Sequence, residues 1–84
     1  MKVRITGPAA RSFDRLPLVI RVRVLRCFER LASWPAVSGA RALSGPLAGH
    51  YRLRTGDYRV QFRIESEGVI VERVGHRDGF YDEP

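Results

Sequence analysis

Cysteine, lysine and long apolar runs are scarce in this sequence, which has Cys27 as its one cysteine and Lys2 as its one lysine. A single cysteine excludes an internal disulfide bond and a zinc site built from cysteines, and burial in a reducing compartment explains Cys27. No apolar run approaches the roughly 18 residues of a membrane-spanning helix. The two histidines and the scattered carboxylates show no ligand spacing, so we expect no metal, no cofactor and no membrane association.

The length of 84 residues limits the chain to one domain, residues 1–84, with a small core. Hydrophobic residues make up 44% of the chain and aromatic residues 10%, which is typical of a folded domain. A domain of this size has no room for an internal active-site cavity, so we expect any site in a groove or on an exposed sheet face. The first residues lack the apolar segment of a signal peptide, which predicts a cytoplasmic protein.

Positive charge is in excess, with a formal net charge of +6 that comes almost wholly from arginine. Residues 1–49 hold nine basic and two acidic side chains, whereas residues 50–84 hold six basic and seven acidic ones. This imbalance predicts affinity for a polyanion such as nucleic acid, or for an acidic protein, without locating the site.

Hydrophobic periodicity and glycine–proline breaks divide the chain into a strand, two helices and a three-strand meander. This order predicts an α+β domain of β-α-α-β-β-β topology, with both helices packed on one face of a small antiparallel sheet. The first strand is expected at an edge of the sheet or beside the last strand. The predicted segments are a strand over 2–6, helices over 8–16 and 17–33, a loop over 35–49, a hairpin over 50–64, a turn at 67–68, a strand over 69–74 and a polar tail over 76–84.

The second predicted helix is amphipathic. At 100° per residue, its apolar side chains fall on one arc, which needs a sheet to cover it. Arg23, Arg26 and Arg30 fall on the opposite side, where they form either a solvated face or a ridge that contacts RNA phosphates. The apolar arc consists of Ile20, Val24, Cys27, Phe28 and Leu31.

A two-residue turn at Gly56-Asp57 sets the register of the predicted hairpin. Arg54 then lies opposite Arg59, although like charges in opposite positions are destabilising. Alternation places polar side chains on one face and apolar ones on the face toward the helices. The polar face is either solvated, with Glu72 pairing Arg63, or an anion site in which guanidinium groups bind phosphate oxygens. The polar face comprises His50, Arg52, Arg54, Arg59, Gln61 and Arg63, and the apolar face comprises Tyr51, Leu53, Tyr58, Val60, Phe62 and Ile64.

The segment from Leu43 to Val60, followed by Val74-Gly-His-Arg77 and Tyr81, resembles the RelE/ParE superfamily of type II toxins. The shared pattern is Leu-x-Gly, Tyr-Arg-Leu-Arg-x-Gly-Asp-Tyr-Arg, Val-x-His-Arg and a final tyrosine. The filled basic positions are more similar to the RelE branch, whose members cut messenger RNA in the ribosomal A site.

The resemblance implies a RelE-like fold and a ribosome-dependent, metal-independent endoribonuclease that acts on messenger RNA. It also implies a hetero-oligomer with a cognate antitoxin, whose binding segment is acidic or amphipathic and covers the second helix or the arginine face. Two alternatives stay open, which are a gyrase-inhibiting toxin of the ParE type and a degenerate toxin that only binds its antitoxin.

The implied reaction is attack of a ribose 2′-hydroxyl on the adjacent phosphate, which leaves a 2′,3′-cyclic phosphate and a free 5′-hydroxyl. It needs a base, an acid and a group that stabilises the anionic phosphorane. The resemblance assigns Arg59 and Arg77 to clamp the scissile phosphate, and Arg52 and Arg54 to bind flanking phosphates.

The base is left to other residues, because arginine does not release its proton in proteins. Some relatives have lysine where Arg52 and Arg54 stand. Tyr81 is therefore the expected base, and His76 is the alternative because an imidazole titrates near neutrality. The candidate catalytic residues are Arg54, Arg59, His76, Arg77 and Tyr81. The candidate RNA contacts are Arg52, Gln61, Arg63, Arg23, Arg26, Arg30 and His50. For His50, the alternative is that it takes no part in the reaction or in binding.

Overall fold

The computed structural model describes residues 1–82, and the side chains of residues 1–80. None of the helices in this part of the chain has the length and apolar character needed to cross a membrane. The elements in chain order are β1 (Lys2–Ile5), α1 (Gly7–Asp14), α2 (Leu18–Leu31), β2 (Arg41–Ala42), a 3-10 turn (Gly45–Leu47), β3 (His50–Thr55), β4 (Tyr58–Glu65), β5 (Gly68–His76) and α3 (Arg77–Asp82).

Local chemistry fixes where the first two helices begin. Thr6 caps α1, because its Oγ1 accepts a hydrogen bond from the N–H of Ala9 at 3.3 Å. Pro8 stands in the first turn of α1, where its missing N–H removes no helical hydrogen bond. Pro17 immediately precedes α2. Both helices begin within one residue of the predicted positions and end two residues early, at Asp14 and Leu31.

A single hydrophobic core lies between the two helices and one face of the sheet. The predicted apolar arc of α2 faces this core, with Val24 and Leu31 fully buried. The sheet contributes side chains from β3, β4 and β5, among which Phe62 is the largest that is fully buried. Burial raises the pKa of the Cys27 thiol, with the charge of Arg30 acting in the opposite direction, so Cys27 is an unreactive packing residue. The α+β fold class is therefore confirmed.

The sheet has five strands in the order β1-β5-β4-β3-β2. The first strand takes the predicted edge position beside the last strand, but it runs parallel to β5, so the sheet is mixed. Alternation of side chains does not encode the direction of a strand, which explains why the parallel pairing was not predicted. The second edge strand, β2, lies in the predicted loop, and two residues are too few for a periodic pattern.

The predicted register of the hairpin is confirmed pair for pair, from His50 opposite Arg63 to Thr55 opposite Tyr58. The turn includes Gly56, whose φ of 59° lies in the left-handed region that glycine adopts without steric cost. The next turn falls one residue before its predicted position, so that β5 begins at Gly68.

An extra residue in β5 changes the faces of the residues that follow Glu72. Gln61 pairs with Arg73 and Phe62 pairs with Val71, which leaves Glu72 as the additional residue of a β-bulge. The Glu72 carboxylate bonds to Gln61 on the polar face of the hairpin. The bulge therefore leaves Glu72 and Arg73 on the same face and turns His76 to the side of Tyr58.

A second apolar stripe on α2 remains uncovered by the rest of the described chain. Leu18 and Val19 are 68% and 67% exposed, and Val22 and Leu25 continue the stripe at helical spacing. The helical pattern predicted the buried arc and the arginine side, whereas this stripe was not predicted.

The segment predicted as a polar tail forms α3, which packs on the polar face of the sheet beside β5. Phe80 is buried, and its ring carbons lie 3.3 and 3.6 Å from the position that a Cβ on Gly75 would take. The guanidinium carbon of Arg73 lies 4.1 Å from the centroid of the same ring. The absence of a side chain at Gly75 therefore makes room for Phe80, and α3 was missed because six residues are too few to show periodicity.

Gly75→Val should destabilise the domain by about 1–3 kcal/mol, because a branched side chain there would displace the Phe80 ring. Urea unfolding followed by circular dichroism measures the cost. In a chain that carries Phe80→Ala, the same substitution should cost much less, since the obstructing ring is gone. Equal costs with and without Phe80 would contradict the contact.

Candidate active site

Four arginine side chains line a cavity of about 270 Å³ on the polar face of the sheet. Strand pairing explains the cluster, because Arg41 lies opposite Arg52 and Arg54 lies opposite Arg59, and opposite residues share a face. The cavity therefore spans β2, β3 and β4. We call it the arginine pocket, and it consists of Gly39, Arg41, Arg52, Arg54 and Arg59.

Arg59 is the most buried arginine of the pocket, with 7% of its surface exposed. Its Nη1 donates to the carbonyl oxygens of Gly56 at 3.3 Å and of Tyr58 at 3.5 Å. A site on an exposed sheet face was one of the two expected arrangements, but Arg59 itself is buried. The physical reason is α3, whose Phe80 covers β5 at Gly75, directly opposite Arg59.

The electrostatics of the arginine pocket favour an anion. Among residues 1–80, no carboxylate forms an ion pair with Arg41, Arg54 or Arg59. Two like charges 4 Å apart repel by about 1 kcal/mol in water and about 4 kcal/mol at a protein surface. An anion between the guanidinium groups offsets this repulsion, and their planar forks match the oxygens of a phosphate.

The other end of the polar face carries an ion-pair network around Glu72. Its Oε1 accepts a hydrogen bond from Gln61 at 3.1 Å and contacts Nδ1 of His50, while its Oε2 accepts from Arg63 at 3.1 Å. Arg63 also donates to Glu65 at 2.9 Å. The predicted pairing of Glu72 with Arg63 is therefore confirmed at this end of the polar face. Arg63 forms its ion pairs with carboxylates of its own chain.

The network shifts the titration of two of its members. Burial raises the pKa of Glu72, but hydrogen bonds from Gln61, His50 and Arg63 outweigh burial and hold this pKa below its ordinary value of 4.5. Hydrogen bonds to Glu65 and Glu72 raise the pKa of Arg63. Glu72 is therefore ionised near neutral pH.

Glu72→Gln should flatten the loss of stability in acid. Because folding lowers the pKa of Glu72, the carboxylate stabilises the fold above the ordinary glutamate pKa, and this contribution disappears as the pH falls through the folded-state value. We expect the free energies of unfolding of wild type and variant to differ most near pH 7 and to converge below about pH 4. Urea unfolding at several pH values measures this, with the exposed Glu67→Gln as control. A difference that does not change with pH would contradict the prediction.

Arg77 lies at the turn between β3 and β4. Its backbone N–H donates to the carbonyl of Asp57 at 2.8 Å, and its guanidinium lies 3.7 Å from the Asp57 carboxylate and 3.6 Å from that of Asp78. Arg59 reaches Gly56 in the same turn. The structure thus brings Arg59 and Arg77 to one turn, although Arg77 does not line the arginine pocket.

His76 lies away from the pocket. It is opposite Tyr58, and the two rings meet edge to face at 5.2 Å, so His76 shares the helix-covered side of the sheet. Its Nδ1 accepts a hydrogen bond from the N–H of Asp78 at 3.2 Å. The structure therefore gives His76 a capping position and does not place it with Arg59. The side chain of Tyr81, the other expected base, lies outside the described residues.

The three arginines of α2 lie across the sheet from the arginine pocket, because α2 packs on the opposite face. Arg30 donates to the carbonyl oxygen of Ser38 and lies 3.4 Å from its Oγ. Arg26 is exposed on the outer side of the helix. Arg23 reaches the hairpin turn, where its Nη1 lies 3.4 Å from the position that a Cβ on Gly56 would take. Arg23 thus reaches the turn to which Arg59 donates a hydrogen bond.

Comparison with known proteins identifies the family. The model of the ParE toxin of type II toxin–antitoxin systems, parDE, matches residues 3–79. The chain belongs to this ParE toxin family. The resemblance to the RelE/ParE superfamily is thereby confirmed, and the protein is a toxin of the type II class.

Relatives of this ParE-family toxin include the toxins RelG and RelE3. Toxin RelG of Mycobacterium tuberculosis is 37% identical over 82 residues, which cover 94% of the chain and 93% of the relative. Among solved structures, the toxin–antitoxin complex RelBE2 of Mycobacterium tuberculosis matches with a TM-score of 0.78 and 33% identity, over 90% of this chain and 96% of the other. The RelB–RelE complex of Methanococcus jannaschii matches with a TM-score of 0.80 at 21% identity, over 96% and 98% of the two chains, which shows the shared fold alone.

Arg41 is the pocket residue that the sequence reasoning missed in this ParE-family toxin. It stands in a stretch of small residues that predicted a loop. The feature that could have identified Arg41 is that it is an isolated basic residue in that stretch, shortly before Leu43. Only the pairing of β2 with β3 shows that Arg41 faces Arg52. Gly39 enters the pocket from the same segment.

A larger depression of about 650 Å³ lies at the far edge of the sheet, around β1 and the turn between β4 and β5. Its lining mixes Lys2 and Arg4 with Glu65 and Glu67. Because charges of both signs and apolar groups share it, this depression lacks the single-sign field of the arginine pocket.

Proposed function

We propose that this toxin is a ribosome-dependent endoribonuclease that cuts messenger RNA in the ribosomal A site. The observation that supports it is the arginine pocket, where Arg52, Arg54 and Arg59 line one cavity with Arg41. The planar forks of guanidinium groups match the oxygens of a phosphodiester and bind them through paired hydrogen bonds. Toxin names of the RelE type among the relatives point in the same direction.

In the proposed reaction, the 2′-hydroxyl attacks the adjacent phosphate and the 5′ oxygen leaves. Arg59, the most buried arginine of the pocket, binds the phosphate oxygen on which negative charge develops. Arg54 and Arg52 bind phosphates on either side and hold the strand in register. Arg77 approaches from the hairpin turn once the RNA displaces its contact to Asp57.

Dependence on the ribosome follows from the open geometry of the site. The pocket is a shallow cavity on a sheet face, and a single-stranded RNA on it would keep many backbone conformations. In-line attack needs the 2′ oxygen, the phosphorus and the 5′ oxygen aligned, and a ribosome that fixes the message supplies this alignment. Free RNA should accordingly be a poor substrate.

The antitoxin is the proposed protein partner, and the apolar stripe of α2 is its proposed docking surface. The relative with a TM-score of 0.78 is solved as a toxin–antitoxin complex. Leu18 and Val22 are large apolar side chains left exposed beside Arg23 and Arg26, which suits an amphipathic segment with acidic flanks. The exposed apolar stripe supports α2, and not the arginine face, as the surface that the antitoxin covers.

The double variant Leu18→Asp, Val22→Asp should weaken antitoxin binding by at least tenfold, because it places charge within an apolar contact and repels acidic flanks. Calorimetric titration of the toxin with its antitoxin measures this. Arg4→Ala on β1 serves as control and should bind normally. Unchanged affinity in the double variant would move the docking surface to the arginine face.

A gyrase inhibitor is the second candidate, because the family model that matches is named for ParE. One experiment separates the two functions. Purified toxin is added to ribosomes that translate a defined message, and primer extension maps the cuts, while a parallel assay follows gyrase-dependent supercoiling. Cuts within translated codons support the nuclease. An intact message with blocked supercoiling supports the gyrase inhibitor, and no effect in either assay supports a toxin that only binds its antitoxin.

A further inference from the structure

The polar face of the sheet is closed to a polyanion on two of its four sides. Beyond β5, the buried Phe80 of α3 covers the strand directly opposite Arg59. At the end of the hairpin away from its turn, the carboxylates of Glu65 and Glu72 already bind Arg63, at 2.9 and 3.1 Å. α3 therefore blocks one direction by its bulk, and the two carboxylates repel a phosphate strand in the other.

The other two sides of the polar face are open. At the hairpin turn, Arg77 is exposed and its guanidinium lies 3.7 Å from the Asp57 carboxylate. At the sheet edge, β2 is the last strand within residues 1–82, and its Arg41 is exposed. A single strand of RNA that is held at Arg59 therefore has two directions open to it, toward the turn and across β2.

Arg41 stands at the outer end of the arginine pocket. It lies opposite Arg52 on the neighbouring strand, and it lines the same cavity as Arg59. About 10 Å separate the backbones of β2 and β4, because adjacent strands are about 4.8 Å apart. Among residues 1–80, Arg41 forms no ion pair with a carboxylate. Its guanidinium is therefore placed to bind a phosphate further along the strand than the one at Arg59.

The segment that carries Arg41 is fixed on both sides. Before Arg41, Arg30 of α2 donates a hydrogen bond to the carbonyl oxygen of Ser38. After it, the N–H of Leu43 donates to the carbonyl oxygen of His50 at 2.9 Å. Because these bonds tie β2 to α2 and to β3, Arg41 belongs to the rigid sheet, and its backbone pays little entropy on binding.

The lining of the pocket favours a phosphodiester strand over an acidic peptide. Among the described residues, the lining consists of one glycine and four arginines. A peptide partner buries apolar side chains at the centre of its contact, and this cavity offers none. A nucleic acid backbone needs only charge and hydrogen-bond donors, which the guanidinium groups supply.

We propose that the RNA strand leaves the arginine pocket across β2 and that Arg41 binds a phosphate other than the scissile one, an inference that rests on the proposed function. Arg41 is then a substrate-binding residue. It holds the strand in register over Arg59 and takes no part in bond making or breaking. The substrate is accordingly a single strand that extends beyond the cleaved bond on the β2 side.

The salt dependence of binding tests the contact without any cleavage. The probe is a single-stranded oligonucleotide with 2′-deoxyribose throughout, which lacks the attacking hydroxyl, and fluorescence anisotropy at several salt concentrations gives the affinity. Arg41→Ala should weaken binding by about tenfold and reduce the slope of log K against log salt by about 0.7, the value for one phosphate contact on a single strand. Arg41→Lys should keep the slope, because it keeps the charge. Arg4→Ala, on the other edge of the sheet, is the control and should change neither quantity.

The concentration dependence of cleavage tests the role. On programmed ribosomes, Arg41→Ala should raise the toxin concentration that gives half of the maximal single-turnover rate by about tenfold. The maximal rate should fall by no more than a few-fold, because the scissile phosphate keeps its own arginine. A maximal rate that falls by about 100-fold, with the half-saturating concentration unchanged, would place Arg41 on the scissile phosphate and overturn the inference.

The outcomes separate this inference from the proposed function. Equal salt slopes in wild type and Arg41→Ala, or no binding of the oligonucleotide by the wild type, overturn the Arg41 contact even if the message is cut. A translated message left intact by the wild type overturns the proposed function, whereas a reduced slope in Arg41→Ala would still show the phosphate contact. Weaker antitoxin binding by Arg41→Ala with an unchanged salt slope would assign Arg41 to the protein partner and overturn the inference. A reduced slope with a normal unfolding curve supports it.

Discussion

Arg59→Ala should slow single-turnover cleavage of a translated message by about 100- to 1,000-fold, which is the usual cost of losing one donor to a developing oxyanion. Arg59 is the most buried arginine of the arginine pocket, so in the proposed reaction its guanidinium would bind phosphate with the least competition from water. Arg59→Lys should recover only part of the rate, because an ammonium keeps the charge but loses the planar fork.

The matched control is Arg4→Ala. Arg4 is an exposed arginine on β1 and lines the other depression, so the substitution removes the same charge without touching the pocket. It should leave the cleavage rate within a few-fold of wild type. The stability of Arg59→Ala should stay within about 1 kcal/mol of wild type, since the hydrogen bonds lost are long, at 3.3 and 3.5 Å. Full activity in Arg59→Ala would end the phosphate-clamp assignment.

Phe62→Ala should destabilise the domain by about 3–5 kcal/mol, the range for deleting a fully buried phenylalanine. Phe62 is the largest side chain with no exposed surface. Its ring lies 5.3 Å from that of Trp34 and 5.6 Å from that of Tyr51. A domain of this size has a total stability of about 5–15 kcal/mol, so the variant is expected to be near the limit of folding.

Urea unfolding followed by the fluorescence of Trp34 measures the loss. Phe62→Leu is the control, since it keeps most of the volume and should cost about 1.5 kcal/mol or less. A loss in Phe62→Ala no larger than that in Phe62→Leu would show that the core collapses around the gap, and the contact of Phe62 with Trp34 would then carry little of the stability.

The hairpin and the α2 arc were predictable because they depend on local rules. Alternation and a two-residue turn fix which residues oppose each other, and this placed Arg54 opposite Arg59 correctly. The end of β5 was different. A bulge breaks alternation, and nothing in the residues around Glu72 signals it, so the faces of the residues after Glu72 could not be derived from spacing.

Contacts between distant segments account for the remaining differences. Arg41 joins the pocket through a two-residue strand, and the burial of Arg59 comes with the packing of Phe80 on Gly75. Neither the position of Arg41 nor the burial of Arg59 follows from the periodicity of the sequence. The separation of His76 from the pocket follows from the β-bulge at Glu72, because regular alternation from Ile70 would have placed residue 76 on the polar face.

The arginine pocket depends on the register in which β2, β3 and β4 pair. Because successive side chains alternate in direction, a slip of β3 by one residue against β4 would turn Arg52 and Arg54 inward and Leu53 outward. Burying two guanidinium groups among aliphatic side chains is prohibitive, so such a chain does not persist as a folded form with a weakened pocket. If the proposed cleavage is measured, its rate should therefore be proportional to the folded fraction of the protein.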